Sequence, residues 1–290
     1  MIYCLGPMGS YSEKAAKLFA GHLKNSEEII YCNSINEIFE KLEKLEKLDT
    51  SKHDDNNLVY GVVPSENSIE GSVTLTQDLL METNVNILAE IDINIEHALV
   101  STSNDKNTIK RVLSHPQALA QCRNYINSNH WVTETMESTA LSAKTIAEKQ
   151  DDGLSAICSE ANAEIYDLNI LDKNIQDYKN NQTRFLLISK KQNKEYIKDI
   201  NFGIDDLKRV KSTVILELKE NRAGSLYDVL GEFKKLNIDL SRIESRPSKT
   251  KLGTYVFYMD FEYYENMDEL FNNLNKWVSK LIYLGTYFVL

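Results

Sequence analysis

Short apolar runs alternate with amphipathic stretches through the first two-thirds of the chain. Residues 1–5 and 154–158 are compact apolar runs with the length of buried strands. Residues 35–48 instead repeat apolar side chains at helical spacing, with Ile38 and Leu42 on one face. Alternation of this kind is typical of a mainly parallel sheet covered by helices. The pattern predicts an α/β fold long enough for two lobes with a cleft between them.

The pattern changes after residue 189. Residues 190–211 are rich in lysine, asparagine and aspartate and show weak periodicity, so we predict a linker there. The order that follows, βαββαβ over residues 212–290, is that of a ferredoxin-like split unit. The predicted strands cover residues 213–218, 238–245, 254–261 and 282–289, and the predicted helices cover residues 224–236 and 267–281.

Composition narrows the classes of function. The 290 residues carry a formal net charge of -10, which disfavours nucleic acid as a partner because no global positive field would attract phosphates. A small anion remains possible, since helix N-termini and a few local cations can hold one. No apolar run approaches the roughly 18 residues of a membrane span. The start of the chain lacks a basic leader and a long apolar stretch, so we expect no signal peptide.

The cysteines give no sign of a metal site or of disulfides. Their spacing matches neither CxxC nor a zinc-ligand pattern, and we interpret them as buried, reduced thiols. Reduced thiols indicate a cytoplasmic protein. The four residues are Cys4, Cys32, Cys122 and Cys158.

Two polar segments follow early strands, where open α/β sheets bind ligands. Residues 6–12 form a glycine-rich turn before a helix, with Ser10 and Glu13 at the spacing of a capping box. Glycines there either let the backbone approach a ligand or simply make a tight turn. Residues 64–73 combine carboxyl, amide and hydroxyl groups after a buried strand, either as a site or as a polar loop that caps a helix.

Two further segments repeat this arrangement. Residues 114–121 lead from a strand into a helix through His115, whose ring is either a general acid–base or a cap. Residues 137–140 again place hydroxyls at a helix start. Arg184, in the polar segment 180–185 beside an apolar strand, either grips a carboxylate or forms a salt bridge at the edge of the strand.

In order and spacing, these segments resemble the signatures of prephenate dehydratases. The chain carries Gly-Pro-x-Gly-x-x-Ser from Gly6, Glu-Asn-Ser-x-x-Gly from Glu66, Ser-His-Pro-Gln-Ala-Leu from Ser114 and Thr-Arg-Phe from Thr183. In the last unit, residues 244–247 match the signature of an ACT domain. A Gly-Ala-Leu motif of the same domain is also present with serine in place of alanine. The resemblance covers residues 1 to about 261.

The resemblance implies decarboxylative dehydration of prephenate to phenylpyruvate, a lyase reaction of phenylalanine biosynthesis that needs no cofactor and no metal. It implies that Thr183 serves the departing hydroxyl, with a proton relayed from water or Glu66. Arg184 would orient the site or bind a carboxylate. The other residues expected to bind substrate or to pack at the site are Ser10, Asn67, Ser68, Ser114, Gln117, Thr139 and Phe185.

The resemblance also implies a fold and a regulator. Residues 1–189 would form a catalytic unit like a two-lobed periplasmic binding protein, with one lobe at about 1–76 plus 169–189 and the other at about 77–168. The ACT domain would bind L-phenylalanine at a dimer interface and make the protein a homodimer or homotetramer, or it would serve only to dimerise. The expected effector residues are Gly224, Ser225, Leu226, Glu244, Ser245, Arg246 and Pro247.

Three other interpretations remain open at this point. The same chemistry on arogenate would give phenylalanine directly. A non-catalytic amino-acid sensor would keep the two-lobed fold without the reaction, although retention of Asn67, Ser68, Thr183 and Arg184 argues against it. A fusion to a chorismate mutase is disfavoured, because a strand is expected to start at Met1.

Overall fold

The computed structural model describes residues 1–23, 28–48, 59–190, 210–250 and 252–290. Residues 49–57 are polar and without periodicity, so the sequence predicts a loop there. This loop and nearly all of the predicted linker, at residues 191–209, lie outside the described residues. Within the described ranges, no helix is long and apolar enough to cross a membrane.

The elements of residues 1–190 alternate as the hydrophobic pattern predicts. They are, in chain order, β1 (Ile2–Leu5), α1 (Tyr11–His22), β2 (Ile29–Cys32), α2 (Ile35–Leu48), β3 (Tyr60–Asn67), β4 (Gly71–Ser72), α3 (Thr74–Glu82), β5 (Asn86–Asn94), β6 (Ala98–Ser101), a 3-10 turn (Lys106–Thr108), β7 (Arg111–Ser114), α4 (Pro116–Gln121), α5 (Arg123–Ser128), β8 (Val132–Thr135), α6 (Thr139–Lys149), β9 (Leu154–Cys158), α7 (Ala161–Ile165), β10 (Asn169–Asp172) and β11 (Gln182–Ser189).

The first lobe is a sheet with helices on both faces. β1 pairs in parallel with β2 and β3, and β11 runs antiparallel to β3 and β5. Successive side chains of a strand point to opposite faces, so Phe185 and Leu187 pack with Phe19 of α1, whereas Leu186 and Ile188 pack on the side of α2. The two faces of β11 therefore look into different surroundings.

The second lobe is a separate five-stranded sheet with the order β10-β6-β9-β7-β8. β7 is parallel to β8 and β9, while β6 is antiparallel to β9 and β10. Helix α6 covers one face with Ala143 and Ile146, and α4 and α5 cover the other with Leu119 and Ile126. The carboxyl ends of β7 and β8 lead directly into the starts of α4 and α6, which face the first lobe across a cleft.

The C-terminal domain has the predicted βαββαβ order. Its elements are β12 (Val210–Leu218), α8 (Ser225–Lys235), β13 (Leu240–Pro247), β14 (Tyr255–Glu262), α9 (Met267–Leu274) and β15 (Val278–Val289). The strand order β13-β14-β12-β15, with antiparallel neighbours, is that of the ferredoxin-like split unit. Both helices pack on one face of this sheet.

The sheet of the C-terminal domain continues into the sheet of the first lobe. β15 lies parallel to β5, with Phe288 opposite Ala89 and Val289 opposite Glu90, which produces one ten-stranded sheet. The two units also share one apolar core, in which Ile215, Tyr258 and Leu284 of the C-terminal domain pack with residues of α2, α3 and β11. The C-terminal domain is thus fused to the first lobe by backbone and by packing.

The structure corrects the predicted boundary between the lobes. β5 had been expected in the second lobe, but it pairs with β11 in the first; β10 had been expected in the first lobe, but it pairs with β6 in the second. The chain therefore crosses between lobes near Ile95 and near Asn181, and the Ile95 amide donates to the Asn181 carbonyl at 2.8 Å. These crossings place residues 95–180 in the second lobe.

β3 runs through Pro64, because a bulge in the pairing of β3 with β11 accommodates a residue that has no amide hydrogen. The helix predicted over residues 267–281 is too long. Helix α9 ends at Leu274 rather than at residue 281, since residues 278–289 instead complete a long antiparallel ladder with β12.

Candidate active site

A cavity of about 770 Å³ opens between the two lobes. Its walls are the ends of β1, β3 and β11 and the start of α1 on one side, with the starts of α4 and α6 on the other. Six of the predicted site residues line it: Ser10, Asn67, Gln117, Thr139, Thr183 and Phe185.

Thr183 and Asn67 lie opposite each other in the pairing of β11 with β3, at the floor of the cleft. Asn67 is buried, and its Oδ1 accepts hydrogen bonds from the amides of Ile69 and Glu70 at 3.0 and 3.1 Å. Its amide nitrogen Nδ2 is therefore the atom that faces Thr183, and it donates to Thr183 Oγ1 at 2.9 Å. Because Oγ1 accepts this bond, the hydroxyl proton of Thr183 is free for another acceptor.

The second lobe contributes the first turns of two helices. His115 caps α4, because its Nδ1 accepts from the amide of Gln117 at 3.2 Å, so the structure places this ring in the capping role. Ser138 caps α6 by accepting from the amide of Leu141 at 3.0 Å. Gln117 and Thr139 lie in the first turns just after these caps, and both line the cleft.

The first lobe contributes the start of α1. Ser10 caps that helix, accepting from the amide of Glu13 at 3.2 Å and donating to the carbonyl of Leu5 at 3.0 Å. Just before it, the carbonyl of Gly9 accepts from Asn162 Nδ2 of the second lobe at 3.0 Å. The glycine turn thus serves as a direct contact between the lobes.

Cationic side chains are absent from the described lining of the cleft, which includes no lysine and no arginine. Positive potential there comes from the starts of α1 and α6, whose backbone N–H groups and helix dipoles favour anions. Glu137 is a carboxyl group on the wall formed by the second lobe. No group of three or more His, Cys, Asp or Glu in the described ranges is arranged to hold a metal ion.

A larger cavity, of about 920 Å³, lies on the other side of the α1 start, between α1 and α7. It shares Ser10 and Tyr11 with the cleft but includes none of the other predicted catalytic or substrate-binding residues. Its lining includes Lys14 and Lys17 together with the carboxylates of Glu13, Glu96 and Glu160, but neither Asn67 nor Thr183. We therefore place the chemistry in the cleft.

The family model for prephenate dehydratase matches residues 2–193, which contain both lobes and the cleft. The chain belongs to the prephenate dehydratase family. A curated prephenate dehydratase of Methanocaldococcus jannaschii is 48% identical over 289 residues, which cover 99% of this chain and 97% of that protein.

Solved structures of the prephenate dehydratase family confirm the predicted architecture. The prephenate dehydratase of Staphylococcus aureus is 28% identical, with a TM-score of 0.78 over 99% of both chains. The prephenate dehydratase of Arthrobacter aurescens, solved in complex with L-Phe, is also 28% identical, with a TM-score of 0.79 over 99% of this chain and 90% of that one. The two-lobed, periplasmic-binding-protein-like unit with a C-terminal ACT domain is therefore the fold of this chain.

Arg184 of the Thr-Arg-Phe signature, which was expected to orient the site or bind a carboxylate, does not line the cleft. It follows Thr183 on a strand, so its side chain points to the opposite face of the sheet. There it makes a bidentate pair with Asp92, at 3.0 and 3.1 Å, and lies 3.4 Å from Glu66. Burial opposes its charge, but Asp92, Glu90 and Glu66 together raise the pKa of Arg184.

Glu66 shares that opposite face, so the structure does not support it as a proton relay for Thr183. Its carboxylate lies between Arg184 and Arg242 of the ACT domain, 3.7 Å from Arg242 Nε. Nearby, the buried Glu90 accepts a hydrogen bond from Lys211 at 2.5 Å. Burial raises the pKa of Glu90, and the neighbouring cations offset this in part.

Two other predicted substrate contacts have structural partners instead. The hydroxyl of Ser68 accepts from the amide of Gln182 at 2.9 Å and donates to the carbonyl of Asn180 at 3.2 Å, which secures the turn before β11. Ser114 is fully buried and donates to the carbonyl of Ile157 at 2.5 Å. Neither residue lines the cleft.

The expected effector residues on β13 divide between two faces. Glu244 and Arg246 point toward the first lobe: Glu244 accepts hydrogen bonds from Ser72 and Arg242, and Arg246 lies 3.8 Å from Asp78. Ser245 and Pro247 alternate with them and are exposed on the other face of this edge strand.

The Gly-Ser-Leu motif lies at the start of α8. Gly224 caps the helix with φ +87°, a conformation that favours glycine. Ser225 is nearly buried, and the amide of Arg222 donates to its hydroxyl at 3.3 Å, whereas Leu226 packs against the core of the ACT domain. A cavity of about 430 Å³ beside this turn is lined by Ser225 and Trp277 among others, but not by residues 244–247.

Sequence reasoning missed four residues that line the cleft of this prephenate dehydratase family member: Tyr11, His97, Gln121 and Glu137. Tyr11, Gln121 and Glu137 lie inside the recognised polar segments at residues 6–12, 114–121 and 137–140, but none was assigned a role of its own. Gln121 lies one helical turn beyond Gln117, so α4 periodicity would have placed both on one face. His97 had only a weak signal, as a lone titratable residue beside an apolar strand.

Proposed function

We propose that this protein converts prephenate to phenylpyruvate, with loss of carbon dioxide and water, and that L-phenylalanine inhibits it. The observation that carries the proposal is the hydrogen bond from Asn67 Nδ2 to Thr183 Oγ1 at the floor of the cleft. Family membership and the M. jannaschii prephenate dehydratase, similar over 99% of this chain, support the choice of substrate.

The chemistry requires little from the protein beyond positioning and one proton. The bond between the ring and its carboxylate breaks, and its electron pair enters the new aromatic ring as the ring C–O bond breaks. The departing hydroxyl takes up one proton and leaves as water. Aromatisation supplies the driving force, so preorganised hydrogen bonds and a proton donor account for catalysis.

Thr183 supplies the hydrogen bond to the departing hydroxyl. Since Asn67 donates to Thr183 Oγ1, the threonine proton is directed away from Asn67 and toward the cavity. Donation to Oγ1 also strengthens the donor capacity of the same hydroxyl, because chained hydrogen bonds polarise one another. The proton consumed comes from solvent and passes through water in the open cleft to Thr183 as the threonine donates to the departing hydroxyl. Phe185, two residues along the same face, is buried and packs beneath the site.

Two carboxylates of the substrate are held by helix starts and neutral donors rather than by arginine. The first turns of α1 and α6 converge on the cavity from opposite lobes, and the Gln117 amide and Thr139 hydroxyl line the same cavity. A dianion between the lobes would bridge both helix starts. Closure of the lobes on the substrate follows from this arrangement.

We infer that L-phenylalanine binds between the ACT domains of two copies of the chain. The A. aurescens relative was solved with L-Phe, and β13 is an edge strand whose outer face exposes Ser245, Pro247 and the apolar Ile243. The turn at Gly224 and the residues at 244–247 do not share the cavity beside α8, so a second chain is needed to join them. Homodimers or homotetramers built through ACT domains, located in the cytoplasm, complete the proposal.

The test is phenylpyruvate formation from prephenate by the purified protein and by three Thr183 variants. Thr183→Ser keeps the hydroxyl, Thr183→Val keeps the shape without it, and Thr183→Ala removes both. We expect activity in the wild type and in the serine variant, and a loss of about 10²-fold or more in kcat for the valine and alanine variants. L-Phenylalanine should suppress the activity of the wild type.

Each outcome has one meaning. Near-normal turnover by Thr183→Val would contradict the role of Thr183. Turnover that L-phenylalanine does not suppress would retain the reaction and reduce the ACT domain to an assembly module. If the wild type acts on arogenate but not on prephenate, the substrate assignment is wrong, and activity on neither would favour a sensor.

A further inference from the structure

A chain of buried polar side chains leads from the floor of the cleft into the second lobe. Asn67 Nδ2 contacts Asn181 Oδ1 at 2.7 Å, Asn181 Nδ2 donates to Gln121 Oε1 at 3.0 Å, and the same oxygen lies 2.9 Å from His97 Nε2. All four side chains are less than a tenth exposed. The chain crosses from one lobe to the other beside both crossover segments.

The donor and acceptor roles along this chain can be assigned from the end at which two backbone amides hold Asn67. Two backbone amides donate to Asn67 Oδ1, so the atom of Asn67 that faces Asn181 must be Nδ2. Asn181 must therefore accept this hydrogen bond with its Oδ1. Asn181 Nδ2 then faces Gln121 and donates to its Oε1. The ring atom of His97 facing that oxygen must therefore carry a proton.

His97 can satisfy this requirement in one neutral form only. Nε2 holds the proton, and Nδ1, which is buried without a partner among the described residues, keeps a lone pair. Adding a second proton at Nδ1 would create a buried charge with no acceptor, and burial indeed lowers the pKa of His97. The ring is T-shaped against Tyr11 at 6.5 Å, and its backbone amide donates to Gln176 at 2.9 Å, which fixes its orientation.

We propose that His97 is a positioning residue that, as a neutral Nε2–H donor, fixes the orientation of the Gln121 and Asn181 amides and so aims the Thr183 proton into the cleft. Without this donor, the amides of Gln121 and Asn181 lose the partner that terminates the chain, and their flipped orientations gain population. A flipped Asn181 turns its NH₂ group toward Asn67 Nδ2, and the repulsion between the two donors moves the Asn67 amide out of line with Thr183 Oγ1. The inference rests on the proposed function, because Thr183 is the group being aimed.

The order of donors and acceptors along this chain has a second consequence, at Gln121. Since its Oε1 accepts from both His97 and Asn181, its Nε2 is the atom left over, and that amide has no partner among the described residues. Gln121 lines the cavity, and the same histidine thus sets which end of its amide remains a free, buried donor beside the cleft. One neutral ring thus orients two donors.

The experiment compares His97→Gln with His97→Met in the full-length protein. Glutamine places an amide N–H near the position of imidazole Nε2, whereas methionine fills similar space without a donor. We expect kcat for prephenate to fall about 10- to 100-fold in His97→Met, with KM changed less than about 3-fold, and His97→Gln to recover most of the loss. Circular dichroism and thermal unfolding verify that both variants are folded.

A purely structural role predicts that methionine and glutamine variants behave alike, and that result would overturn the proposal. The pH profile distinguishes positioning from proton transfer. If kcat/KM titrates between about pH 5.5 and 7.5 in the wild type but not in His97→Gln, the histidine acts as an acid or base, and that result would also overturn the proposal.

A spectroscopic measurement tests the order of the chain without any turnover. The protein has five histidines, and the ¹⁵N imidazole signals of His97 are identified by their absence from His97→Gln. We expect a neutral Nε2–H tautomer that persists below about pH 6. An Nδ1–H tautomer or an imidazolium at about pH 6.5 would refute the inference even if the enzyme is active, whereas the expected tautomer in a protein with no prephenate turnover would leave the chain intact and refute only the proposed reaction.

Discussion

Glu66 of the first lobe and Arg242 of the ACT domain lie 3.7 Å apart, and the same carboxylate oxygen is 3.4 Å from Arg184. Arg184 directly follows Thr183 along β11, and Arg242 lies two residues before Glu244 on β13, which accepts its hydrogen bond. A motif expected to sense the effector is therefore connected through the Glu66 carboxylate to the strand that carries Thr183. This contact is a direct charged connection between the two sites described above.

We predict that Arg242→Gln weakens inhibition by L-phenylalanine. The change leaves the buried Asp260 and the half-buried Glu66 with one cation fewer, and loss of one partner of such pairs costs about 2–4 kcal/mol. We expect a lower Tm and an inhibitory concentration raised about 10-fold, with kcat in the absence of effector changed less. Arg111→Gln, which removes an exposed arginine with one carboxylate partner, should change neither quantity. Full inhibition of Arg242→Gln at wild-type concentrations would exclude this route.

Asn67→Asp should abolish activity without unfolding the protein. The carboxylate retains the oxygen that accepts from the amides of Ile69 and Glu70, but it has no hydrogen to donate to Thr183. Thr183 would then donate to the new carboxylate, so its proton would point away from the cleft. We expect kcat to fall about 10²-fold or more. Gln182→Glu, which changes an adjacent exposed amide that donates to Asn94, is the matched control, and equal losses in both variants would show a nonspecific effect of charge.

Gly9→Ala should impair both stability and turnover. Gly9 has φ +85°, and a β-carbon there would lie 2.1 Å from Asn162 Oδ1 of the second lobe. The left-handed backbone alone costs an alanine about 1–2 kcal/mol, and the clash separates the lobes at the side of the cleft. We expect a raised KM as well as a lower Tm. Gly21→Ala, in α1 with nothing within 4 Å of its added carbon, should be neutral or gain about 0.5–1 kcal/mol; a similar loss in both would remove the argument from lobe contact.

The four cysteines should be inert in the folded protein. Burial raises the pKa of Cys32 to about 11 and that of Cys4 and Cys122 to about 12, and Cys158 is fully buried with a pKa raised still further. Thiolate is the reactive form, so at about pH 8 a disulfide reagent should modify the native protein at least about 100-fold more slowly than the unfolded chain. Rapid modification of even one thiol in the native protein would contradict this burial.

The alternation of side chains along a strand could already have shown that Arg184 lies on the face opposite Thr183. Adjacent residues of a strand point to opposite faces, so Thr183 and Arg184 cannot both face one cleft, and neither can Asn67 and Glu66. All four were assigned to the substrate because the signature residues were taken together. Polar segments at strand ends nonetheless located the cleft, since six of the predicted residues line it.

Other features of the fold could not be predicted from the residues that form them. The pairing of β15 with β5 joins segments that are far apart in the sequence, and neither strand differs in pattern from one that ends a sheet. The lobe boundary was misplaced for the same reason, because β5 and β10 are assigned by their partners rather than by their own residues. His97 became recognisable only when the fold brought it beside Gln121 and Asn181.

Because the ACT domain continues the sheet of the first lobe, its strand β15 covers the backbone edge of β5. β5 carries Ile87, Ala89, Ile91 and Ile93, and without β15 its edge would present unpaired backbone groups beside an apolar surface. Such an edge is a template for aggregation. A catalytic unit released by cutting after residue 190 would therefore lose solubility along with regulation, and a mutation that frees the enzyme from feedback by deleting its ACT domain would increase misassembly. Selection for feedback-resistant enzyme should accordingly favour point substitutions over truncation.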